Sequence, residues 1–200
     1  MDGGAHGFAQ ARIGPNAVLQ LVPVLDRTLG RPARVRLLTG AGLFEMPDGT
    51  AMIDEGPVAR LHQTMRRDFP DLAPGMAAAA GRRTGDYILI HRIPRRAQRL
   101  LRILPAALSA RLLAQAIAQH AWTFAGSGRF RVASRVPLVF EIADNPLVRG
   151  EHAAAPVCHW HVAVFARLFT RLAAPDYTCV ETDCCANGAR ACRFVLARAA

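Results

Sequence analysis

YTCVETDCCANGARACRF, residues 177–194, holds four of the five cysteines of this 200-residue chain. The fifth, Cys158, lies shortly before it, and the first 157 residues contain none. Tyr177 to Thr182 reads as a strand, Cys184 to Cys192 as a tight turn marked by Asn187-Gly188, and Arg193 to Ala197 as the returning strand. Glu181 would end the first strand, Cys184 follows three residues on, and Cys192 returns after the turn. That brings three side chains to one hairpin end, and Cys158, at the start of a helix, can supply a fourth. Four sulfur and oxygen ligands suit tetrahedral Zn²⁺, and four protein ligands make a closed, structural site. Arg190 and Arg193, flanking Cys192, are candidates to offset the charge of such a centre. Cys179, Cys185, His159 and His161 are rival ligands. A set of buried free thiols remains the plain alternative. A redox pair at Cys184-Cys185 lacks the C-x-x-C spacing.

The pattern extends outward from this hairpin. Pro156 to Leu172 reads as a helix carrying Cys158, His159 and His161 in its first turn. Arg129 to Ser134 and Pro137 to Ala143 read as strands, with Asn145-Pro146 a turn. Before them the chain is helical by periodicity: Pro15 to Leu29, Pro57 to Phe69, Met76 to Ile93, Pro94 to Leu104, and Pro105 to about Phe124. Arg31 to Leu43 is a shorter apolar segment. The expected fold class is α+β, a helical N-terminal half followed by an antiparallel sheet with a zinc-binding hairpin. A loose segment 1–14 precedes a single domain 15–200, whose zinc-binding region is 156–197.

Composition narrows the class. The chain is 52% hydrophobic and 20% charged, which excludes a disordered chain. Its N-terminus shows no secretory signal pattern, and an odd cysteine count without one predicts a reducing, cytoplasmic setting. No segment offers about 20 uninterrupted apolar residues, so a membrane span is not expected. Net charge is +10, all basic residues being arginine. That favours anionic partners, yet no nucleic-acid-reading motif is present and nucleic acid is not an expected partner. Arg95, Arg99 and Arg102 fall on one face of the Pro94 to Leu104 helix. Such a face is commonly just solvated; its functional readings are anionic lipid, an acidic partner enzyme, or capture of propionates.

Cys158 followed by Glu181-x-x-Cys184-x-x-x-Gly188-x-x-x-Cys192-x-Phe194 resembles the 4-vinyl-reductase-type domain. That domain is shared with the aromatic-sensing domains of certain bacterial activators. The resemblance implies zinc on Cys158, Glu181, Cys184 and Cys192, and leaves Cys179 and Cys185 without a role. Further phrases, Arg12 to Asn16, Asp86 to Pro94, Ala121 to Gly128 and Asn145 to Leu147, look like the photosynthetic-bacterial branch. That likeness implies a place in bacteriochlorophyll biosynthesis and, as an activity, 8-vinyl reduction of a divinyl (proto)chlorophyllide.

A reductase needs a hydride carrier, but Gly40-Ala-Gly42 and Gly126-Ser-Gly128 do not complete a dinucleotide fingerprint. The preferred expectation is therefore a non-catalytic accessory protein that carries a magnesium-protoporphyrin-type tetrapyrrole between biosynthetic enzymes. The alternatives are the reductase itself and a small-molecule-sensing module. His91 and His120 are the candidate axial ligands, both read as lying in apolar surroundings, with Trp122 and Phe124 as stacking partners for the macrocycle. Expected partners are the magnesium tetrapyrrole, bacteriochlorophyll biosynthesis enzymes and further copies of the chain, with peripheral membrane contact an open reading.

Overall fold

A computed structural model describes residues 11–199. The expected segment 1–14 lies mostly outside them. Its end does not stay loose: strand β1 (Arg12–Ile13) pairs antiparallel with β2 (Ile53–Asp54). The helical half then comprises α1 (Asn16–Leu19), α2 (Val22–Leu29), α3 (Arg31–Ala41), α4 (Glu55–Asp68), α5 (Ala73–His91), α6 (Arg95–Ile103), α7 (Ala106–Gln119) and α8 (Trp122–Ala125). Strands β3 (Arg129–Arg135) and β4 (Leu138–Ala143), helix α9 (His159–Leu172), and strands β5 (Tyr177–Asp183) and β6 (Ala191–Arg198) complete the chain. The main sheet is antiparallel in the order β3-β4-β6-β5. The architecture is α+β, as the sequence suggests, with one apolar core running from Ile13 to Leu196.

Two helices expected to be continuous are broken, each for a local reason. Pro23 has no N–H to give the Leu19 carbonyl, and its ring crowds that oxygen, so α1 ends and α2 restarts. At the end of α7, His120 Nδ1 bonds the Ala116 carbonyl at 2.9 Å, and Thr123 Oγ1 donates to the His120 carbonyl at 2.8 Å. These side-chain bonds cap the helix and turn the chain into α8.

The axis of the fold is the contact between α5 and α9. Gly81 and Gly85, which read as weak points of a helix, let the two backbones meet. A Cβ on Gly81 would overlap the Trp160 carbonyl oxygen and stand 2.7 Å from Ala163 Cβ. One on Gly85 would stand 2.7 Å from Arg167 Cβ. Helix α9 in turn lays Phe165 and Phe169 against Phe140 of β4, and Phe165 also meets Phe194 of β6. All four rings are fully buried. Period-2 alternation puts Leu138, Phe140 and Ile142 on this inner face, opposite Leu196, Phe194 and Cys192. On the outer face Glu141 is clasped by Arg131 and Arg193.

Two histidines are sealed into the core. His62 Nε2 faces the Ala17 carbonyl at 3.0 Å, and burial pushes its pKa down to about 3. His161 lies among Phe124, Phe165 and Phe194, and burial pushes it down to about 4. Their folded pKa values lie below the unfolded value near 6.5, so below pH 6.5 the unfolded chain binds protons that the folded chain refuses. Stability is therefore full above about 6.5 and falls as the pH falls toward 4. Each histidine should cost about 1.4 kcal/mol between pH 7.5 and 5.5, about 3 kcal/mol together. Urea unfolding across that range, with zinc held in the buffer, should show this loss. His62→Gln keeps a donor for Ala17 and should remove about half of the pH dependence.

Candidate metal centre

The sheet end nearest the start of α9 gathers the cysteines. In a regular strand Glu181 and Cys184, three apart, would point to opposite faces. The β5–β6 register shifts between Glu181 and Asp183, a bulge that adds one residue and restores both to the same side. A short 3₁₀ turn (Cys185–Asn187) follows, closed by Gly188 at φ 91°. That positive φ is the conformation for which the Asn-Gly signal exists. Cys192 then enters on β6 facing inward beside Ile142. Cys158 arrives as the N-cap residue of α9.

The ligand atoms of Cys158, Glu181, Cys184 and Cys192 all lie within 4.8 Å of one another. The sulfur of Cys158 is 3.5 Å from that of Cys192 and 3.8 Å from that of Cys184, and Cys184 and Cys192 are 3.8 Å apart. A tetrahedron with metal–sulfur bonds of about 2.3 Å has edges of about 3.8 Å, so these spacings fit a zinc-sized cation. Glu181 Oε2 accepts the Cys158 N–H at 2.7 Å, while its Oε1 is buried without a partner. An orphaned carboxylate oxygen beside three thiols is a donor set awaiting a cation. Burial raises the Glu181 pKa to about 8 and drives Cys158 well above the usual thiol range. Cys184 is held far below that range by the thiols of Cys158 and Cys192. At Cys192, Cys158 pulls the value down, but Cys184 and burial together carry it upward. Without a cation the cluster thus sustains one thiolate; with one, it can sustain three.

A fifth side chain completes the setting. Asn145, fully buried, donates from Nδ2 to Cys158 Sγ at 3.4 Å and to Cys192 Sγ at 3.5 Å. Its Oδ1 accepts the Leu147 N–H, so it cannot swing away. The Cys185 N–H donates to Cys192 Sγ at 3.4 Å. These donors fix and polarise the sulfurs. Adjacency to Cys192 suggests Arg190 and Arg193 for that task. Arg193 instead follows the pleat to the opposite face, where it pairs with Glu141 and Asp183. The signal for Asn145 is present in the sequence, an Asn at a strand end before proline, but it reads equally as a turn.

The rival ligands disperse. Cys179 packs in the core, cross-strand from Leu196. Cys185 turns its thiol toward the Ile142 carbonyl, and His161 faces the Phe124 carbonyl. The four residues considered for a macrocycle are not grouped. His91 and His120 are exposed rather than in apolar surroundings. Trp122 is 57% exposed. Phe124 belongs to the core, edge-on to Phe130 and Phe165. Periodicity places them on apolar stripes; the breaks at the ends of α5 and α7 turn them out.

A cleft of about 740 Å³ does adjoin the metal centre, reaching Val157 and His159 on either side of Cys158. Arg60, Arg66 and Arg67 of α4 form its basic wall. Arg66 grips Glu151 through Nε at 2.8 Å and Nη2 at 2.6 Å, tying the loop before Cys158 onto α4. Neither glycine pair serves a dinucleotide. Gly40 and Gly42 end α3, with Gly42 as its left-handed cap, whereas a phosphate loop opens a helix. The Gly126-Ser127-Gly128 turn is occupied by the carboxylate of Glu55, which takes the Ser127 N–H at 2.7 Å and is held by Arg149.

Residues 138–198, from β4 to β6, match the 4-vinyl-reductase domain family. In solved structures the whole topology recurs in H-NOX proteins. A K. algicida H-NOX variant in the unliganded Fe(II) form covers 94% of this chain and 97% of its own, with a TM-score of 0.57 and 9% identity. An S. oneidensis H-NOX in the Fe(II)NO state gives 0.55 at 9% identity, covering 94% of this chain and 100% of its own. A third neighbour, from work on modulating haem redox potential through porphyrin distortion, gives 0.52 at 8% identity, covering 94% and 96%. Such low identities speak to fold alone. Sequence relatives are far nearer. The bacteriochlorophyll synthase 23 kDa chain of Rhodobacter capsulatus is 49% identical, covering 94% of this chain and 87% of the relative. That of Cereibacter sphaeroides is 56% identical, covering 92% of this chain and 90% of the relative. Identity at this level across nearly the full length means that the chain belongs to the family of the bacteriochlorophyll synthase 23 kDa chain, with a 4-vinyl-reductase domain as its C-terminal part.

Proposed function

We infer that this protein is a zinc-containing accessory protein of bacteriochlorophyll biosynthesis that binds a magnesium tetrapyrrole and hands it to biosynthetic enzymes. The observation that carries the reading is the pairing of the family with the fold. The relatives are named for bacteriochlorophyll synthase, and the topology is the one found in a structure concerned with a haem porphyrin. Cys158, Glu181, Cys184 and Cys192 would hold zinc, which supplies structural cross-linking rather than chemistry at an open coordination position. The cleft beside them supports the reading in size and in charge. About 740 Å³ falls within the range of small-molecule sites. Its arginines suit the carboxylates of a tetrapyrrole, and His159 puts an imidazole in the same cleft. A carrier is favoured over a vinyl reductase because both glycine pairs that might have served a hydride donor are engaged in structure.

Titrating the purified protein with magnesium-protoporphyrin should shift the Soret band and saturate at micromolar concentrations. An unshifted band would sink the carrier. Multiple turnovers of a divinyl substrate by this chain alone with NAD(P)H would replace it with the reductase.

A further inference from the structure

Between Asp86 and Glu141 the chain carries nine arginines and no carboxylate. This acid-free stretch includes α6 and α7. Helix α6 has no buried residue. Its outward arc consists of Arg95, Arg96 and Arg99 around Ile103, which is 80% exposed. Among the described residues none of these three arginines makes an ion pair, although carboxylates elsewhere hold ten such bridges. Arg102, by contrast, turns back to the Arg171 carbonyl and Gln98, which fixes the helix to the body. Leu100 is 51% exposed beside the arc, and Leu108 and Leu112 stand out from α7 beyond the Leu104-Pro105 turn. Ile90, near the end of α5, is 73% exposed.

Exposed aliphatic side chains normally come scattered and singly. Here they are set among unpaired arginines on neighbouring helices, the pattern of a helix that lies in a lipid interface. No helix among the described residues is long and apolar enough to cross a membrane. We propose that the α6–α7 face is a peripheral docking surface for an anionic lipid bilayer. Arg95, Arg96 and Arg99 meet the headgroups, and Ile103 and Leu100 enter the acyl boundary. Charge complementarity selects the occupant: an unpaired cationic arc with aliphatic tips fits negative headgroups over hydrocarbon. The docking does not depend on what the protein carries.

Flotation with vesicles tests it. The intact protein should bind vesicles of phosphatidylcholine with about 30% phosphatidylglycerol and release in high salt, while binding pure phosphatidylcholine at least tenfold more weakly. Each arginine near an anionic surface changes partitioning about fivefold. The triple variant Arg95→Gln, Arg96→Gln, Arg99→Gln should therefore lose on the order of 100-fold. Ile103→Asp should weaken binding even at low salt. A control with three exposed arginines elsewhere, Arg27→Gln, Arg36→Gln, Arg82→Gln, should change binding less than threefold. Thermal unfolding of each variant confirms that these surface changes leave the fold intact. Equal losses from both triple variants would reduce the effect to net charge and overturn the proposal. So would failure of the intact protein to bind anionic vesicles, the result expected if the arc receives an acidic protein.

Discussion

Cys184→Ala and Cys192→Ala should each abolish metal binding and with it the fold of the C-terminal half. The purified protein should carry about one zinc per chain, and either variant should carry none. Apparent zinc-binding energies of structural sites run to about 10–16 kcal/mol. That is as large as the whole stability of an ordinary domain, about 5–15 kcal/mol. The centre joins elements that have few other reasons to meet: the start of α9, the bulged end of β5 and the start of β6. Losing one thiolate leaves the others, Glu181 and Asn145 buried around a gap. Insoluble or molten protein is the expected result, read by near-UV circular dichroism and metal analysis. Cys179→Ala and Cys185→Ala supply the contrast, since both thiols lie outside the cluster; each should keep its zinc and its fold. Asn145→Ala should fold yet bind zinc about 10–100-fold more weakly, because it polarises two of the sulfurs. Stoichiometric zinc and unchanged unfolding in Cys184→Ala would refute the assignment.

Gly81→Ala should be the most damaging single methyl group added to the helical half. In a free helix the change would stabilise by up to about 1 kcal/mol. Here the new Cβ would press on backbone, the Trp160 carbonyl, which cannot rotate away as a side chain would. Helix α9 must shift, and the cost should reach about 3 kcal/mol or more. For a chain of this size that is a fall in Tm of about 10 °C. Gly75 is the internal control on the same helix, with nothing within 4 Å of the place its methyl group would take. Gly75→Ala should be neutral or slightly stabilising. Because α9 begins at Cys158, Gly81→Ala should also weaken zinc binding while Gly75→Ala leaves it unchanged. Equal stabilities of the two variants would show that α5 and α9 do not pack as described.

Much of this is legible in the order of residues. The Asn187-Gly188 turn, the strands on either side of it and the helix after Pro156 follow from local chemistry: positive φ at glycine, β-branched alternation, and a 3.6-residue apolar repeat. So does the helical half, apart from the breaks at Pro23 and His120. The ligand set is legible as well, through spacing and through the family motif, and the four residues do converge. Less visible is how they converge. Glu181 and Cys184 share a side only because a bulge changes the count, and a bulge is a property of two paired strands rather than of one.

The macrocycle residues show the opposite failure. A stripe of helical periodicity says that a residue faces the stripe's side while the helix lasts. His91 and His120 sit where helices end, and there the geometry is set by caps. Arg193 fails for a related reason, since adjacency in sequence to Cys192 means the opposite face in a strand.

By itself, then, the sequence determined the class of fold, the hairpin, and the identity of the four residues that could hold a metal, because turn chemistry, alternation and ligand type are local. Only the tertiary structure decided that Asn145 supports the sulfurs, that Gly81 and Gly85 are seats for α9, that Glu55 fills the second glycine turn, and that an arc of arginines is left without partners. Each of these depends on distance between residues remote in the chain, and such distances exist only once the core has closed.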